Sequence, residues 1–258
     1  MSRLDIHLCP ALSDNYVHLL HDASSGATAA VDPGEEEPVL RAIAQRGWTL
    51  THILITHHHA DHTGGAVALK EATGCRVVGT ALDARRIEGG LDIALAPEEH
   101  FALGCAMARM MAVPGHTSGH VAWWFPESTA VFCGDTLFAG GCGRLFEGTA
   151  EQMWESLRRL RDLPEDTRVY CGHEYTLANL RFAVTMDPGN PALRTRLADV
   201  EAERSRRLPT VPSLIREERA TNPFLRADTD ALRISTGLPP GSRPADVFAE
   251  IRRRKDRF

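Results

Sequence analysis

The chain has 258 residues, of which 43% are hydrophobic and 24% are charged. This composition is typical of a globular protein and excludes an intrinsically disordered one. No apolar run approaches the roughly 20 residues that a membrane-spanning helix requires, and the first residues contain no apolar stretch long enough for a signal peptide. We therefore expect a cytoplasmic protein with one large domain, or with one medium domain and a small one.

Charge is distributed unevenly along the chain, whose formal net charge is -5. Residues 1–174 carry 13 Lys+Arg and 23 Asp+Glu, whereas residues 175–258 carry 16 Lys+Arg and 11 Asp+Glu. Such a difference predicts two units, of which the basic one faces an anionic partner.

Strands and helices alternate before residue 175. The β-branched run at 50–56 predicts a strand, and residues 63–73 predict a helix that Gly74 ends. Spacing of apolar residues predicts another helix at 150–163. Further short strands are predicted at residues 76–79, 107–113, 120–125, 131–133 and 168–171. This mixture favours the α/β class, with a layered sheet that carries helices on its faces.

Strand signals stop after residue 175, and the pattern becomes helical. Helical spacing is present at residues 175–186, 191–208 and 244–255. Ser242 is the predicted N-cap of the last helix, because serine accepts hydrogen bonds from a first helical turn. We therefore predict a first domain at residues 1–174 and a small α-helical domain at residues 175–258.

The strongest functional signal is the sequence Thr-His-His-His-Ala-Asp-His at residues 56–62, directly after a predicted strand. Because side chains alternate along an extended segment, His57 and His59 should project to one side and His58 to the other. Neighbouring imidazoles repel each other when they are protonated, so the cluster is best explained by neutral rings that bind a metal ion.

Three more potential ligands follow, each at a predicted strand end and beside a glycine. The full candidate set is His57, His59, Asp61, His62, His116, Asp135 and His173. These five imidazoles and two carboxylates are too many for one tetrahedral zinc ion. They suit two metal ions that share one carboxylate.

The His-x-His-x-Asp-His motif, followed by Gly-His, Gly-Asp and Gly-His, resembles the metallo-β-lactamase superfamily. The whole chain resembles the glyoxalase II (hydroxyacylglutathione hydrolase) family within it. The stretches that carry this narrower resemblance are residues 12–16, 141–149, 171–176, 221–226 and 252–256. The resemblance implies an α/β fold with an αββα sandwich, followed by a small α-helical domain that binds glutathione. It also implies two divalent metal ions, with zinc the first expectation and iron or manganese as alternatives.

The resemblance implies a role for each site residue. It assigns one metal to His57, His59 and His116, the other to Asp61, His62 and His173, and the bridging position to Asp135. It makes Asp61 and Asp135 catalytic and does not include His58 among the ligands. We expect His120 to support a ligand or to pack beside the site rather than to bind a metal. It assigns the glycine carboxylate of glutathione to Arg144, Arg252 and Lys255, and the peptide of glutathione to Phe146 and Tyr175. Position 146 is tyrosine in many relatives.

The implied reaction is hydrolysis of S-D-lactoylglutathione to D-lactate and glutathione by a hydroxide that bridges the metals, in methylglyoxal detoxification. We expect a monomer that acts on this small molecule and binds neither nucleic acid nor membrane. The main alternative is a glutathione persulfide dioxygenase of the same superfamily, which needs a single iron, two histidines and one aspartate. A nucleic-acid-processing member is a weaker alternative, because residues 1–174 are acidic and no basic stretch is interleaved with aromatic residues.

Overall fold

The computed structural model describes residues 3–258, and their contacts separate the chain into two units. The first unit consists of Met1–Ala112 and Gly119–Gly134, and the second of Val113–Ser118 and Asp135–Phe258. Within residues 3–258, no helix is both long enough and apolar enough to cross a membrane.

A six-stranded mixed sheet is the larger part of the first unit. Its strands, in spatial order, are β1 (Asp5–Ala11), β2 (Asn15–Asp22), β3 (Ala27–Val31), β4 (His52–Leu54), β5 (Arg76–Thr80) and β6 (Ile93–Leu95). The first three strands are antiparallel, and the strands from β3 to β6 are parallel. Parallel neighbours need long crossover connections. The helices in these connections are α1 (Glu37–Arg46), α2 (Ala60–Thr63) and α3 (Ala66–Thr73).

Apolar packing places the metal-ligand motif at the end of a buried strand. Ile53 and Ile55, in and just beyond β4, are buried in the same cluster as Val39 and Ile43 of α1. A parallel strand that is covered on both faces appears in the sequence as a nearly continuous apolar run. The motif at 56–62 follows directly and turns into α2, so its polar side chains lie at the carboxyl end of a rigid strand.

Four antiparallel strands complete the first unit. They are β7 (His100–Leu103), β8 (Ala106–Ala112), β9 (Val121–Phe125) and β10 (Ala130–Gly134), each paired with the next. The fully buried rings of Trp123, Phe125 and Phe132 supply much of their apolar surface. The strands predicted near 107–113, 120–125 and 131–133 are therefore confirmed within one or two residues.

The second unit is mainly helical. Its strands are β11 (Leu137–Phe138), β12 (Gly141–Cys142), β13 (Arg168–Cys171) and β14 (Ser213–Leu214), which form the antiparallel pairs β11–β12 and β13–β14. Its helices are α4 (Ala150–Arg161), α5 (Thr176–Met186), α6 (Pro191–Ser205), α7 (Ile215–Thr221), α8 (Asp230–Thr236) and α9 (Pro244–Lys255). Leu180 and Ala183 of α5 pack with Leu193 and Val200 of α6.

Local chemistry defines several boundaries and corrects two predictions. A capping box between Thr149 and Gln152 begins α4, since each side chain bonds to the other residue's backbone N–H. The predicted cap at Ser242 is wrong, because its hydroxyl donates to the carbonyl of Pro239 and Arg243 occupies the N-cap position. The expectation that strands stop at 175 is also wrong, because β14 pairs with β13, a long-range contact that local propensity does not report.

Candidate metal centre and anion site

The first unit positions His57 and His59 so that their rings converge. His57 is buried, and its Nε2 atom lies 3.2 Å from Nδ1 of His59. The side chain between them turns elsewhere, since His58 Nδ1 lies 3.3 Å from the buried carboxylate of Asp83. The predicted alternation is thus confirmed. Two imidazole nitrogens at this separation repel each other if both are protonated. Their unprotonated lone pairs can instead bind a shared cation.

Asp61 and His62 lie in the short helix α2. His62 Nε2 is 3.5 Å from Oδ2 of Asp61. The amide of Asn15 donates to the same Oδ2 atom at 3.1 Å and to the Asp61 carbonyl at 3.2 Å. The orientation of the Asp61 carboxylate is therefore set by a side chain at the start of β2.

A residue that the sequence reasoning missed, Asp32, fixes the ring of His62. Its carboxylate lies 3.1 Å from His62 Nδ1 and accepts hydrogen bonds from the Thr56 amide at 2.7 Å and the Thr56 hydroxyl at 2.6 Å. A proton on Nδ1 that points to a carboxylate leaves Nε2 as the ligand atom, as in many metal sites. An aspartate directly after an apolar strand and before Pro33 was the available signal.

The second unit places Asp135 between two predicted ligands. Its Oδ2 atom is 3.5 Å from His116 Nε2 and 3.4 Å from His173 Nε2. The other ring nitrogen of His116, Nδ1, lies 2.9 Å from the carbonyl of Arg144 and can donate to it. His116 therefore also turns Nε2 toward the carboxylate, with its tautomer set by a backbone acceptor.

Glycine is required at two positions beside these ligands. A Cβ atom on Gly143 would lie 1.9 Å from the carbonyl oxygen of Asp135. Gly134 has φ +46°, and a Cβ atom there would lie 2.3 Å from the Thr56 hydroxyl. Only a residue without a side chain permits such close approaches. The predicted reason for a glycine beside a ligand is therefore confirmed at Gly134, which directly precedes Asp135.

The donor set in each unit fits divalent metal ions. Imidazole nitrogens and carboxylate oxygens are donors that zinc, iron and manganese accept. In the first unit, ligand atoms of Asp32, His57 and His62 lie within 4.8 Å of one another. His62 and His116 also each have one ring nitrogen held by a hydrogen-bonding partner, Asp32 and the Arg144 carbonyl respectively, as in established metal centres.

His120, which the sequence places among non-ligands, packs on the ring of His57, a predicted ligand. Its imidazole stacks on that of His57 with ring centroids 4.5 Å apart and an angle of 18°. The ring is buried and helps to hold His57 in place.

Cationic side chains converge elsewhere in the second unit. Burial, followed by the nearby guanidinium groups of Arg252 and Arg144, lowers the pKa of Lys255 to about 8. Arg144 is exposed and, among residues 3–258, has no ion-pair partner. Asp256 pairs with Arg252 at 2.9 Å. Three cations and one carboxylate leave positive charge that an anionic ligand would neutralise.

The environment of Arg252 differs from that expected of an exposed anion ligand. The residue is 6% exposed, and its guanidinium lies over the Phe224 ring at 5.1 Å. It donates to the carbonyl of Cys142 at 2.9 Å in strand β12. Arg252 therefore supports the segment that carries Arg144. Lys255, one turn further along α9, is half-buried and donates to the carbonyl of Ala178 at 3.1 Å.

Two aromatic rings pack on imidazoles of the second unit that belong to the predicted ligand set. Phe146 is 62% exposed, and its ring meets His116 edge-on at 5.1 Å. Tyr175 is 37% exposed and stacks on His173 at 4.8 Å with an angle of 3°. Both predicted substrate contacts therefore present an accessible apolar surface beside a predicted metal ligand.

The thiol of Cys142 lies near these groups, and its burial disfavours the thiolate form that a nucleophile needs. It is fully enclosed, and burial raises its pKa to about 11 although Arg252 opposes the shift. A thiol must ionise to attack a carbonyl carbon. Burial and the raised pKa therefore disfavour covalent catalysis by Cys142.

Comparisons with known proteins agree with this geometry. The family model described as Metallo-beta-lactamase superfamily matches residues 18–173, and that described as Hydroxyacylglutathione hydrolase C-terminus matches residues 174–258. A hydroxyacylglutathione hydrolase of Methylococcus capsulatus is 62% identical over 255 residues, which cover 99% of this chain and 99% of the relative.

Solved structures support the fold. The B3 metallo-β-lactamase BLEG-1 matches with a TM-score of 0.66 at 21% identity and covers 86% of this chain and 99% of its own, which bears on fold alone. The protein TTHA1623, solved in a di-iron-bound form, matches with a TM-score of 0.55 at 31% identity over 64% of this chain and 90% of its own. The predicted metallo-β-lactamase αββα sandwich with a helical C-terminal region is confirmed.

Proposed function

The chain belongs to the hydroxyacylglutathione hydrolase (glyoxalase II) family of the metallo-β-lactamase superfamily, and we propose that it hydrolyses S-D-lactoylglutathione to D-lactate and glutathione. It is a hydrolase with a small-molecule substrate, a thioester of glutathione. The acyl group and the methylglyoxal-detoxifying role are the parts of this proposal that rest on the resemblance.

The observation that carries the proposal is the place of hairpin β11–β12 in the second unit. Asp135 precedes this hairpin by two residues and Arg144 follows it by two, and Leu137 pairs with Cys142. Both residues therefore lie at the open end of the hairpin, where Gly143 donates to the carbonyl of Thr136 at 3.3 Å. A reacting centre beside Asp135 and an anion site beside Arg144 can then engage the two ends of one substrate.

Charge complementarity supports glutathione as the substrate class. Glutathione carries two carboxylates and one ammonium, so a carboxylate at its glycine end is a fitting ligand for Arg144 and Lys255. We propose that Arg252 acts on binding indirectly. Its hydrogen bond to the carbonyl of Cys142 holds in place the segment that carries Arg144. Phe146 and Tyr175 offer exposed rings against which the peptide can lie.

The reaction itself needs a nucleophile and an acceptor for its proton. Attack of water on the thioester carbonyl forms a C–O bond and breaks the C–S bond, and the electron pair leaves with sulfur as a thiolate. A thiolate leaves readily, so no protein acid is required. We propose that Asp61 and Asp135 orient the attacking water and receive its proton. Divalent metal ions, when bound, would lower the pKa of water and polarise the thioester carbonyl.

We propose two metal ions for each chain, with zinc the first expectation and iron or manganese as alternatives. In this proposal one ion would be held by His57, His59 and His116. The other ion would be held by Asp61, His62 and His173, and both ions would be held by Asp135. The di-iron form of the relative TTHA1623 is a precedent for two ions. The cytoplasmic location, the monomeric state, the absence of nucleic-acid binding and the domain boundary near residue 175 stay predictions.

The test is turnover of purified protein with defined thioesters. We expect hydrolysis of S-D-lactoylglutathione, measured as thiol release, and a higher KM when the glycine carboxylate of the substrate is converted to an amide. Failure to hydrolyse lactoylglutathione in a metal-replete preparation would overturn the proposal. Oxygen uptake with glutathione persulfide would instead support the dioxygenase alternative.

A further inference from the structure

The hairpin β11–β12 is held by buried side chains of the C-terminal helices. Glu218 of α7 is fully buried, and its Oε2 atom accepts a hydrogen bond from the Gly140 amide at 2.9 Å. We propose that Glu218 is a positioning residue, which sets the hairpin and through it the place of Arg144. This inference rests on the proposed function, because it assigns a residue that acts on recognition of the glutathione end.

Asn222 joins Glu218 to both strands of the hairpin. Its side-chain amide lies 2.9 Å from Glu218 Oε2, 3.2 Å from the carbonyl of Phe138 and 2.9 Å from the carbonyl of Gly141. The two carbonyls belong to paired residues of β11 and β12. Glu218 and Asn222 thus satisfy the backbone polar groups of a turn that is closed off from water, which would otherwise be left without partners.

The charge of Glu218 is balanced by a second buried group. Arg196 of α6 is 6% exposed and donates to Glu218 Oε1 at 2.5 Å, and it also donates to the Thr221 hydroxyl at 2.6 Å. A buried ion pair is weak support for stability, since apolar pairs of similar volume often replace it without loss. The location of this ion pair suggests a positioning role instead. One carboxylate oxygen of Glu218 faces Arg196, and the other faces the hairpin.

The hairpin transmits this constraint over a short distance. From Gly140 the chain passes through β12 to Arg144 in four residues, and the carbonyl of Arg144 also faces His116 Nδ1 at 2.9 Å. Gly143 packs directly on the carbonyl of Asp135. A shift of the turn therefore moves the Arg144 guanidinium relative to Asp135, and a substrate that must reach both would bind less well.

Two double variants separate this role from a merely structural ion pair. Arg196→Met with Glu218→Gln removes the pair but retains an oxygen that can accept from the Gly140 amide. Arg196→Met with Glu218→Met removes the pair and the acceptor. We expect the second to lower, by about tenfold, the ratio of kcat/KM for lactoylglutathione to kcat/KM for a small thioester without the glycine carboxylate. The first should keep this ratio within about twofold of wild type.

The matched control is a buried carboxylate–arginine pair without a contact to the hairpin. Asp187 pairs with Arg226 and accepts from Asn190. Asp187→Asn should lower the thermal midpoint of unfolding, because it leaves Arg226 without its carboxylate partner, and leave the substrate ratio unchanged. Equal ratios in the two double variants, or an equal loss in Asp187→Asn, would overturn the positioning role.

A variant of Asn222 keeps the test decisive if the methionine pair does not fold. Asn222→Ser retains an oxygen that can accept from the Phe224 amide, as Asn222 Oδ1 does at 3.0 Å, but loses the amide that donates to the hairpin. It should lower the same substrate ratio, and a wild-type ratio would contradict the proposal. Hydrogen exchange of the Gly140 amide should accelerate at least tenfold when the Glu218 acceptor is lost. This measurement reports on the hairpin even if lactoylglutathione is not the substrate.

Discussion

The Nδ1 atom of His62 lies 3.1 Å from Oδ2 of Asp32, and both side chains are buried. A second pair of the same chemical type, His58 and Asp83, lies in the same unit with 3.3 Å between the ring and the carboxylate. Only the first pair includes a residue of the predicted ligand set. The two pairs therefore provide a matched comparison. Asp32 contacts the predicted ligand His62, whereas Asp83 contacts His58, which is not a predicted ligand.

The Asp32→Asn change should weaken metal binding. The uncharged amide makes the His62 ring less basic and orients it less firmly, and changes of this kind typically cost about 10–100-fold in metal affinity or activity. The measurement is metal retention during titration with a chelator, with Asp83→Asn as control. Equal metal loss in both variants would mean that the carboxylates act only through general stability.

The His58→Ala change should leave turnover and metal content close to wild type. The His58 side chain faces Asp83, away from the convergent nitrogens of His57 and His59. Metal analysis and kcat of the purified variant provide the check. A variant that lost one metal ion would show that His58 belongs to the ligand set.

The His173→Ala change should remove one of two metal ions. Seven ligands with one shared carboxylate exceed the capacity of a single tetrahedral ion, and His173 is assigned to only one site. Asp135→Ala should reduce occupancy of both sites, because its carboxylate faces His116 as well as His173. Metal-to-protein ratios after loading decide the matter. A wild-type ratio near one, unchanged in the His173 variant, would contradict the two-metal assignment.

Binding of the anionic substrate should weaken as pH rises through about 8. The Lys255 pKa is lowered to about 8, so the free protein loses the ammonium charge above that value while kcat stays largely unaffected. In the Lys255→Met variant, KM at pH 7 should rise by an amount equivalent to about 1.5–3 kcal/mol of lost binding. It should then vary little between pH 7 and 9. A KM that rises with pH equally in both proteins would assign the effect to another group.

The same lowered pKa of Lys255 has a consequence for stability. The unfolded chain, with a lysine pKa of 10.5, binds more protons than the folded chain between about pH 8 and 10.5. The Lys255 contribution to the free energy of unfolding therefore becomes more favourable as pH rises through this window, and its cost is fully present below pH 8. Comparison of urea unfolding for wild type and Lys255→Met at pH 7 and 9.5 isolates this contribution.

The Phe146→Tyr change should lower KM for glutathione thioesters. Phe146 is exposed beside His116, so an added hydroxyl can reach a bound peptide without disturbing the core. One neutral hydrogen bond contributes about 0.5–1.5 kcal/mol, which corresponds to a KM lower by about 2–12-fold. Steady-state kinetics should show this gain with lactoylglutathione and not with a thioester that lacks the peptide.

The sequence by itself determined most of the elements and supplied the candidate ligand set, which stays a prediction. Alternation along the segment at 56–62 separates His57 and His59 from His58 because the spacing of side chains on an extended backbone is a local property. Glycine next to His116 and Asp135 was also informative, because a Cβ atom on Gly115 or Gly134 would lie within 3 Å of a neighbouring side chain. The long helical signals after residue 175 were reliable because helical periodicity is also a local property. It depends on side chains three or four positions apart in the sequence.

Only the tertiary structure decided which residues hold the ligands and which cations are accessible. Asp32 reaches His62 of α2 from the residue after β3, and Asn15 reaches Asp61 of α2 from the start of β2, so no local spacing relates either pair. The sequence placed Arg252 and Lys255 on one helix face, yet the packing of α9 buries the first beneath Cys142 and leaves the second half-exposed. Burial and hydrogen bonding between distant segments depend on how the elements pack, and periodicity along one helix contains no information about that packing.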